Sequence, residues 1–141
     1  MLKKAPQNTL RALGPSEHYF WLSNQTGPKH FVMAAQISGF TTASCWQVTL
    51  TAVQQRHPLL QVCIAEDQAG APYFRRLNEA RIPFRVVRGD VTKNWEREMA
   101  LELATPVPLK DGLLARVVLI HEENSSTVII SAHHRLRMVC P

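Results

Sequence analysis

The sequence lacks three features that would place a protein in a special class at once. It has no apolar run near the roughly 20 residues that span a bilayer, and its N-terminus, MLKKAPQNTL, has no apolar signal core. Cysteine is scarce and odd in number, with 3 residues at wide spacing and no CxxC pair. These absences disfavour a membrane protein, a disulfide framework and a zinc knuckle. We therefore expect a cytoplasmic chain without a bound metal.

Charge is also sparse, and it is not concentrated in any segment. Charged residues make up 19% of the chain, and the net charge is +5. The basic residues are scattered, and their longest clusters are Lys3-Lys4, Arg75-Arg76 and the loose pair Arg135 and Arg137. A nucleic-acid surface normally gathers such residues in a stripe with interleaved aromatic side chains. We therefore expect neither a nucleic-acid partner nor a membrane partner.

What is present is a hydrophobic fraction of 45% over 141 residues, enough for one domain with a modest core. Residues 1–10 are predicted to form a flexible arm and residues 135–141 an atypical tail. The predicted elements between them are HYFWL, KHFVMAAQISG, TTASCWQVTLTAVQQRHP, LLQVCIAED, PYFRRL, IPFRVV, TKNWEREMALELA, GLLARVVLI and STVIISA. Their order (helix, strand, helix, three strands, helix, two strands) predicts an α/β (α+β) sandwich. Its single mixed, largely antiparallel sheet would have about four to six strands, with the helices packed against it.

Both long helices are predicted to pack on the sheet through a tryptophan, Trp46 in the helix over 42–57 and Trp95 in the helix over 93–104. The second helix is predicted to have a buried side and a solvent-exposed side. The buried residues would be Trp95, Met99 and Leu103, and the solvent-exposed residues would be Glu96, Glu98 and Glu102. Arg116 lies within LLARVVLI, where a charge needs a partner or a route to water. An edge position, or a stem that reaches solvent, is the favoured interpretation.

The histidine pair His133 and His134 ends an apolar run, VIISAHH. Neighbouring residues of a strand point to opposite faces, so the two imidazoles are predicted to diverge. Divergent rings cannot bind one metal ion together without a local break in the strand. The remaining interpretations are a structural strand end and a general base, because the pKa of histidine lies near neutrality.

Four segments, in order, resemble the motifs of one enzyme superfamily. VIISAHH, with the preceding GLLARVVLIHEENSST, is similar to the approach to the HHxxxDG motif of condensation domains. The same superfamily includes polyketide-associated acyltransferases and chloramphenicol acetyltransferase. LGPSEHYFWL is similar to its N-terminal helix motif, and AVQQRHPLLQV to its RHxxLR motif, with Gln61 in place of the second arginine. LATPVPLKDGLLARVVL is similar to the stretch before the histidine strand. The resemblance covers nearly the whole chain and implies the N-terminal lobe of a chloramphenicol acetyltransferase-like two-lobe fold.

The resemblance also implies residue roles. His134, the second histidine of the motif, would be the catalytic base, and His133 and Arg56 would be structural. In the family, an arginine pairs with the motif aspartate and fixes the loop that carries the active histidine. Here Met138 and Val139 occupy the aspartate and glycine positions, so Arg56 would lose that partner.

The family transfers an acyl group from a carrier-protein or coenzyme A thioester to an amine or a hydroxyl. No bound cofactor is implied, because the CoA or phosphopantetheinyl thioester is a substrate. The second lobe is missing from the sequence, so we expect the chain to be inactive alone. Its expected partners are the missing C-terminal lobe, a carrier protein and a second copy in a homo-oligomer. The alternative is a non-catalytic binding or interaction module that keeps the acyltransferase scaffold.

Overall fold

The computed structural model describes residues 8–134, apart from the side chains of Val91 and Thr92. Seven strands and three helices form this part of the chain. The elements are β1 Thr9–Ala12, α1 Pro15–Ser23, β2 His30–Ser38, α2 Ala43–Arg56, β3 Val62–Glu66, β4 Pro72–Arg76, β5 Phe84–Arg88, α3 Val91–Ala104, β6 Ala115–His121 and β7 Ser125–His133. Short 3-10 turns lie at Asn24–Thr26 and Pro58–Gln61.

The strands form two sheets, of four strands in the order β2-β7-β6-β5 and three strands in the order β1-β4-β3. Only β5 and β6 run parallel, and all other paired strands are antiparallel. The predicted mixed, largely antiparallel α/β class is therefore confirmed. The prediction of a single sheet is wrong, because β3 and β4 pair with β1 instead of joining the larger sheet. Alternating hydrophobicity identifies strands, but it does not specify their pairing partners.

The first strand, β1, is not among the elements predicted from the sequence. Thr9 and Leu10 belong to β1, so the predicted flexible arm over 1–10 is wrong at those two positions. Residues 1–7 and the predicted tail over 135–141 lie outside the described residues. A strand of four residues, TLRA, carries too little periodicity to be recognised alone, and its pairing with β4 supplies the missing hydrogen bonds.

The larger sheet is covered on both faces, which explains why β6 and β7 carry apolar residues on both of their faces. On one face, α2 packs through Trp46 and Leu50 against a cluster that includes Leu119 and Val128. On the other face, α3 packs through Met99 against the residues that alternate with these, Val118, Ile120 and Ile129. The result is a three-layer arrangement with the end of β7 near α1. The smaller sheet packs with α1 around Phe74 and Leu114.

The start and end of α2 follow from local chemistry. The hydroxyl of Thr42 accepts a hydrogen bond from the backbone N–H of Cys45 over 3.1 Å, as an N-cap does. Pro58 follows the helix and prevents its continuation. The helix lies within the predicted range of 42–57.

The predicted orientation of α3 is wrong for four of the six residues that it assigned, whereas Met99 packs against the sheet and Glu96 is exposed, as predicted. Glu98 and Glu102 are buried, with exposed fractions of 8% and 6%, whereas Trp95 and Leu103 are exposed at 37% and 54%. The helix turns its carboxylates to the sheet because arginines on β5 and β6 pair with them. Hydrophobic periodicity places every charged residue on the solvent-exposed side of a helix. It therefore gives the wrong orientation for a helix whose buried side contains ion pairs.

The favoured interpretation of Arg116 is also wrong. This residue lies on β6, an interior strand of the four-stranded sheet, and its side chain is only 16% exposed. It pairs with Glu102 instead of extending into solvent. None of the helices described between residues 8 and 134 is long and apolar enough to cross a lipid bilayer.

Candidate active site at the end of the last strand

The histidine pair lies where β7 ends, beside the start of β2 and the end of α1. His133 is the last residue of β7 and is paired with His30 in the antiparallel register with β2. His134 follows, and its N–H donates to the carbonyl of Lys29 over 3.2 Å. The backbone of both histidines is therefore held in the sheet hydrogen-bond pattern up to residue 134.

The imidazole of His134 packs against two aromatic rings. It stacks on Phe20 of α1, with ring centroids 5.3 Å apart and an interplanar angle of 11°. Phe31 of β2 lies at 5.2 Å with a tilt of 53°. His134 is nevertheless an exposed residue. The aromatic contacts thus restrict the orientation of a ring that water or a ligand can still reach.

His133 has a different environment. It is 1% exposed, and its Nε2 lies 3.2 Å from Oδ1 of Asn24. The same oxygen accepts the backbone N–H of Lys29 over 3.1 Å, which identifies it as the carbonyl oxygen of the amide. Nε2 of His133 is therefore the donor. The backbone N–H of His133 donates to Leu114 over 2.9 Å.

The contacts of the two rings fit the predicted divergence of their side chains. One ring is buried against the amide of Asn24, and the other lies on Phe20 and Phe31. Among the described residues, no group of three His, Cys, Asp or Glu side chains could hold a metal ion. The site therefore offers one accessible imidazole, that of His134, next to the buried ring of His133.

A buried charged cluster contacts the same strand at Ser131, two residues before His133. Glu102 of α3 accepts hydrogen bonds from the Nε of Arg116 and, over 2.6 Å, from the hydroxyl of Ser131 on β7. Arg85 of β5 lies 3.6 Å from the other carboxylate oxygen and forms a 2.5 Å ion pair with Glu98. The cluster therefore ties α3 to three strands of the sheet.

The electrostatics of Glu102 follow from these contacts. Burial alone would raise the pKa of Glu102. The hydrogen bonds from Ser131 and Arg116, together with the charges of Arg116 and Arg85, lower the pKa by more. Its pKa therefore lies below the ordinary value, and the group is ionised at neutral pH. Sequence reasoning missed this cluster, although an arginine inside an apolar strand was the indication that a buried acidic partner exists.

Arg116 also closes the C-terminal end of α3. Its guanidinium donates to the backbone carbonyl of Pro106 over 3.0 Å, to that of Glu102 over 3.1 Å, and to that of Thr105. Carbonyls at a helix C-terminus lack partners within the helix and carry partial negative charge. One arginine thus satisfies both a buried carboxylate and the end of the helix that carries it.

Arg56 and Gln61, the two residues of the RHxxLR-like segment considered in the sequence, differ in their contacts. Arg56 is exposed at the end of α2, and none of the ion pairs between residues 8 and 134 includes it. Its predicted counterpart position, Met138, lies outside the described residues. Gln61 donates to the backbone carbonyls of Gln54 over 2.8 Å and Gln55 over 3.3 Å. The glutamine therefore caps α2.

A groove of about 530 Å³ lies at the opposite end of the four-stranded sheet. Its lining includes Phe40, the N-cap Thr42, Arg88 and His121. The imidazole Nε2 of His121 donates to the carbonyl of Thr41 over 2.8 Å. The groove contains neither His133 nor His134, so it does not coincide with the histidine site.

No protein-family model matches the chain, and no curated protein matches it in sequence. Solved structures do match. The first condensation domain of the calcium-dependent antibiotic synthetase, in complex with a substrate analogue, is 19% identical with a TM-score of 0.78. That match covers 89% of this chain and 33% of the domain.

Two further condensation domains give similar values. A variant of the starter condensation domain of rhizomide synthetase, in complex with C8-CoA and Leu-SNAC, is 18% identical with a TM-score of 0.77. The match covers 91% of this chain and 31% of that one. The condensation domain of the Monacolin K polyketide synthase is 15% identical with a TM-score of 0.72. That match covers 87% of this chain and 29% of the other. The chain thus spans about a third of these domains, and its fold is that of one condensation-domain lobe, as predicted.

Proposed function

We propose that this chain is the N-terminal lobe of a condensation-type acyltransferase and that His134 is its catalytic base. The observation that carries the proposal is the placement of His134: an accessible imidazole at the end of an interior strand, oriented by Phe20 and Phe31. The fold likeness to condensation domains supports it. The burial of the His133 ring supports the choice of His134 as the base.

The proposed chemistry requires one proton to move. The unprotonated ring nitrogen of His134 accepts a proton from the amine or hydroxyl nucleophile as that group attacks the thioester carbonyl. The bond between the carbonyl carbon and sulfur then breaks, the acyl group remains on the nucleophile, and the thiol leaves with the proton. General-base catalysis of this kind contributes about 10²–10⁴-fold to the rate.

His133 is proposed as a positioning residue. Its backbone N–H donates to Leu114 and its ring donates to Asn24, which anchors the turn after α1 to the end of β7. The same turn follows the helix that carries Phe20, the stacking partner of His134. Substitution of His133 is therefore expected to move the His134 ring and not to remove a proton acceptor.

Most of the rate of such an enzyme comes from positioning both substrates. The described lobe forms one side of the space around His134, and the matched domains are about three times as long as the match. We therefore expect the 141-residue chain by itself to transfer acyl groups from thioesters no faster than buffer.

The decisive experiment is a chimera in which residues 8–134 replace the matching third of the rhizomide starter condensation domain. Transfer from C8-CoA to Leu-SNAC is then measured. We expect turnover, its loss by at least about 10²-fold in His134→Ala, and its retention in His18→Ala. His18 is a matched control because it is another exposed histidine of this lobe that packs on an aromatic ring, Trp21. Equal activity of the two variants would refute the role of His134.

A second candidate function is a non-catalytic interaction module. It is favoured by the exposed Arg56, which has no ion pair among the described residues, and by Met138 at the motif aspartate position. A folded chimera that carries residues 8–141 of this chain and shows no turnover, but gains turnover when Met138→Asp and Val139→Gly are introduced, would support this candidate.

A further inference from the structure

The strand β2 is one edge of the four-stranded sheet. Among the described residues it pairs only with β7, in an unbroken register from His30↔His133 to Ser38↔Ser125. Its middle is exposed, including Met33 at 49%. Nine residues of regular strand therefore present one side of their backbone to the surroundings.

The hydrogen bonds to β7 identify which backbone groups face outward. The N–H of His134 donates to Lys29, and the N–H of Gly39 donates to Asn124. In antiparallel pairing the bonded positions alternate, so the odd-numbered residues of β2 bond to β7. The N–H and C=O groups of the even-numbered residues point to the open edge. These residues are His30, Val32, Ala34, Gln36 and Ser38.

The two edges of this sheet differ in how they are protected. The other edge, β5, has five residues and carries Arg85 and Arg88. Short length and charge are the usual devices that prevent strand addition at an edge. β2 has nine residues, and it contains no Asp, Glu, Lys, Arg or Pro and no register shift. Within the described part of the chain, one edge of the sheet is thus protected and the other is competent for pairing.

The sequence of β2, HFVMAAQIS, is also complementary to itself in the antiparallel direction. A two-fold axis at Ala34 places Val32 opposite Gln36 and Met33 opposite Ala35 of a second strand. It also places Phe31 opposite Ile37, an aromatic and β-branched pair of the kind that stabilises sheets. No like charges face each other. All outward backbone groups from His30 to Ser38 find partners, because even-numbered residues meet even-numbered residues.

We propose that β2 is a homodimer interface, in which two copies of this chain pair their β2 strands antiparallel about Ala34 and form one continuous eight-stranded sheet. The occupant is a second copy because length, register and side-chain pairing all fit this strand to itself. Closed two-fold dimers of this kind are the commonest symmetric assemblies. The large-to-small match of Met33 with Ala35 also covers the exposed methionine.

The test is sedimentation velocity of the full 141-residue chain under reducing conditions, over about 1–300 µM, because edge pairing buries less area than standard interfaces. We expect the mass to rise toward twice the 15.9 kDa of one chain. Ala34→Lys places two lysines opposite each other at the axis, and we expect dimerisation to weaken by at least about tenfold. Ala34→Glu is expected to do the same.

Mixing the two variants places lysine opposite glutamate and is expected to restore the dimer, which also shows that both variants are folded. Val86→Lys is the matched control, since it adds the same charge to the opposite edge strand and should leave dimerisation unchanged. A wild-type chain that stays monomeric over the whole range overturns the proposal. So does a folded Ala34→Lys variant that dimerises like the wild type, or a mixture that remains monomeric.

Discussion

Replacement of Glu102 by alanine tests the buried ion-pair network that joins α3 to the sheet. The substitution leaves Arg116 without its carboxylate on an interior strand, where its side chain is 16% exposed. Removing one partner of a buried pair costs about 3–5 kcal/mol, because the remaining charge is uncompensated. Arg85 adds little to this figure, since its side chain is half exposed.

A loss of this size is a large part of the 5–15 kcal/mol that stabilises a typical domain. For 141 residues it lowers the melting temperature by about 10–15 °C. We would follow urea and thermal unfolding by far-ultraviolet circular dichroism, with Glu96→Ala as the matched control. Glu96 lies on the same helix, is exposed, and forms none of the ion pairs described between residues 8 and 134. Its loss should cost within about 0.5 kcal/mol. Equal effects of the two substitutions would refute the assignment of Glu102 as a buried, paired carboxylate.

Further outcomes can be measured on the same chain. Folding lowers the pKa of Glu102, so the contribution of this group to the free energy of unfolding is complete above the ordinary carboxyl pKa of about 4.3 and is lost as the pH falls through the folded pKa. Glu102→Gln should therefore flatten that part of the plot of stability against pH. An unchanged plot would contradict the lowered pKa. Trp46→Ala should cost about 3 kcal/mol or more in urea unfolding, because Trp46 packs against the core and donates to Thr41 over 3.1 Å. Trp95→Ala should cost less, since Trp95 is 37% exposed; the reverse order would contradict the described orientation of α3. Zinc titration followed by calorimetry should show no stoichiometric binding at His133 and His134, because their rings contact different residues; one-to-one binding that is lost in His134→Ala would contradict this.

The sequence predicted the elements whose chemistry is local. The apolar runs of β6 and β7 and the helix predicted over 42–57 are properties of short segments, and each of these elements exists. The four-residue β1 and the split into two sheets were missed. They depend on pairings between distant segments, such as β1 with β4, that periodicity does not record.

The candidate site divides in the same way. The divergence of His133 and His134 follows from strand alternation, whereas the role proposed for His134 came from family resemblance. The network of Glu102, Arg116 and Ser131 could not be derived from hydrophobicity, because each charged residue alone is assigned to water. Arg116 within an apolar strand implied a buried partner, but the identity of that partner depends on how α3 packs.

The position of β7 has a consequence for how the chain acquires its fold. β7 is the last described strand in the sequence, yet it lies between β2 and β6, which are separated in the sequence by α2, β3, β4, β5 and α3. Until residues 125–133 have been synthesised, the two halves of the larger sheet have no strand that joins them. The nascent polypeptide can close the β5–α3–β6 unit early, because its contacts are local in sequence. The register that pairs His30 with His133 can form only after β7 has been synthesised, and closing so long a loop is slow. Chaperones that bind extended apolar segments would therefore find β2 unprotected on both sides during translation.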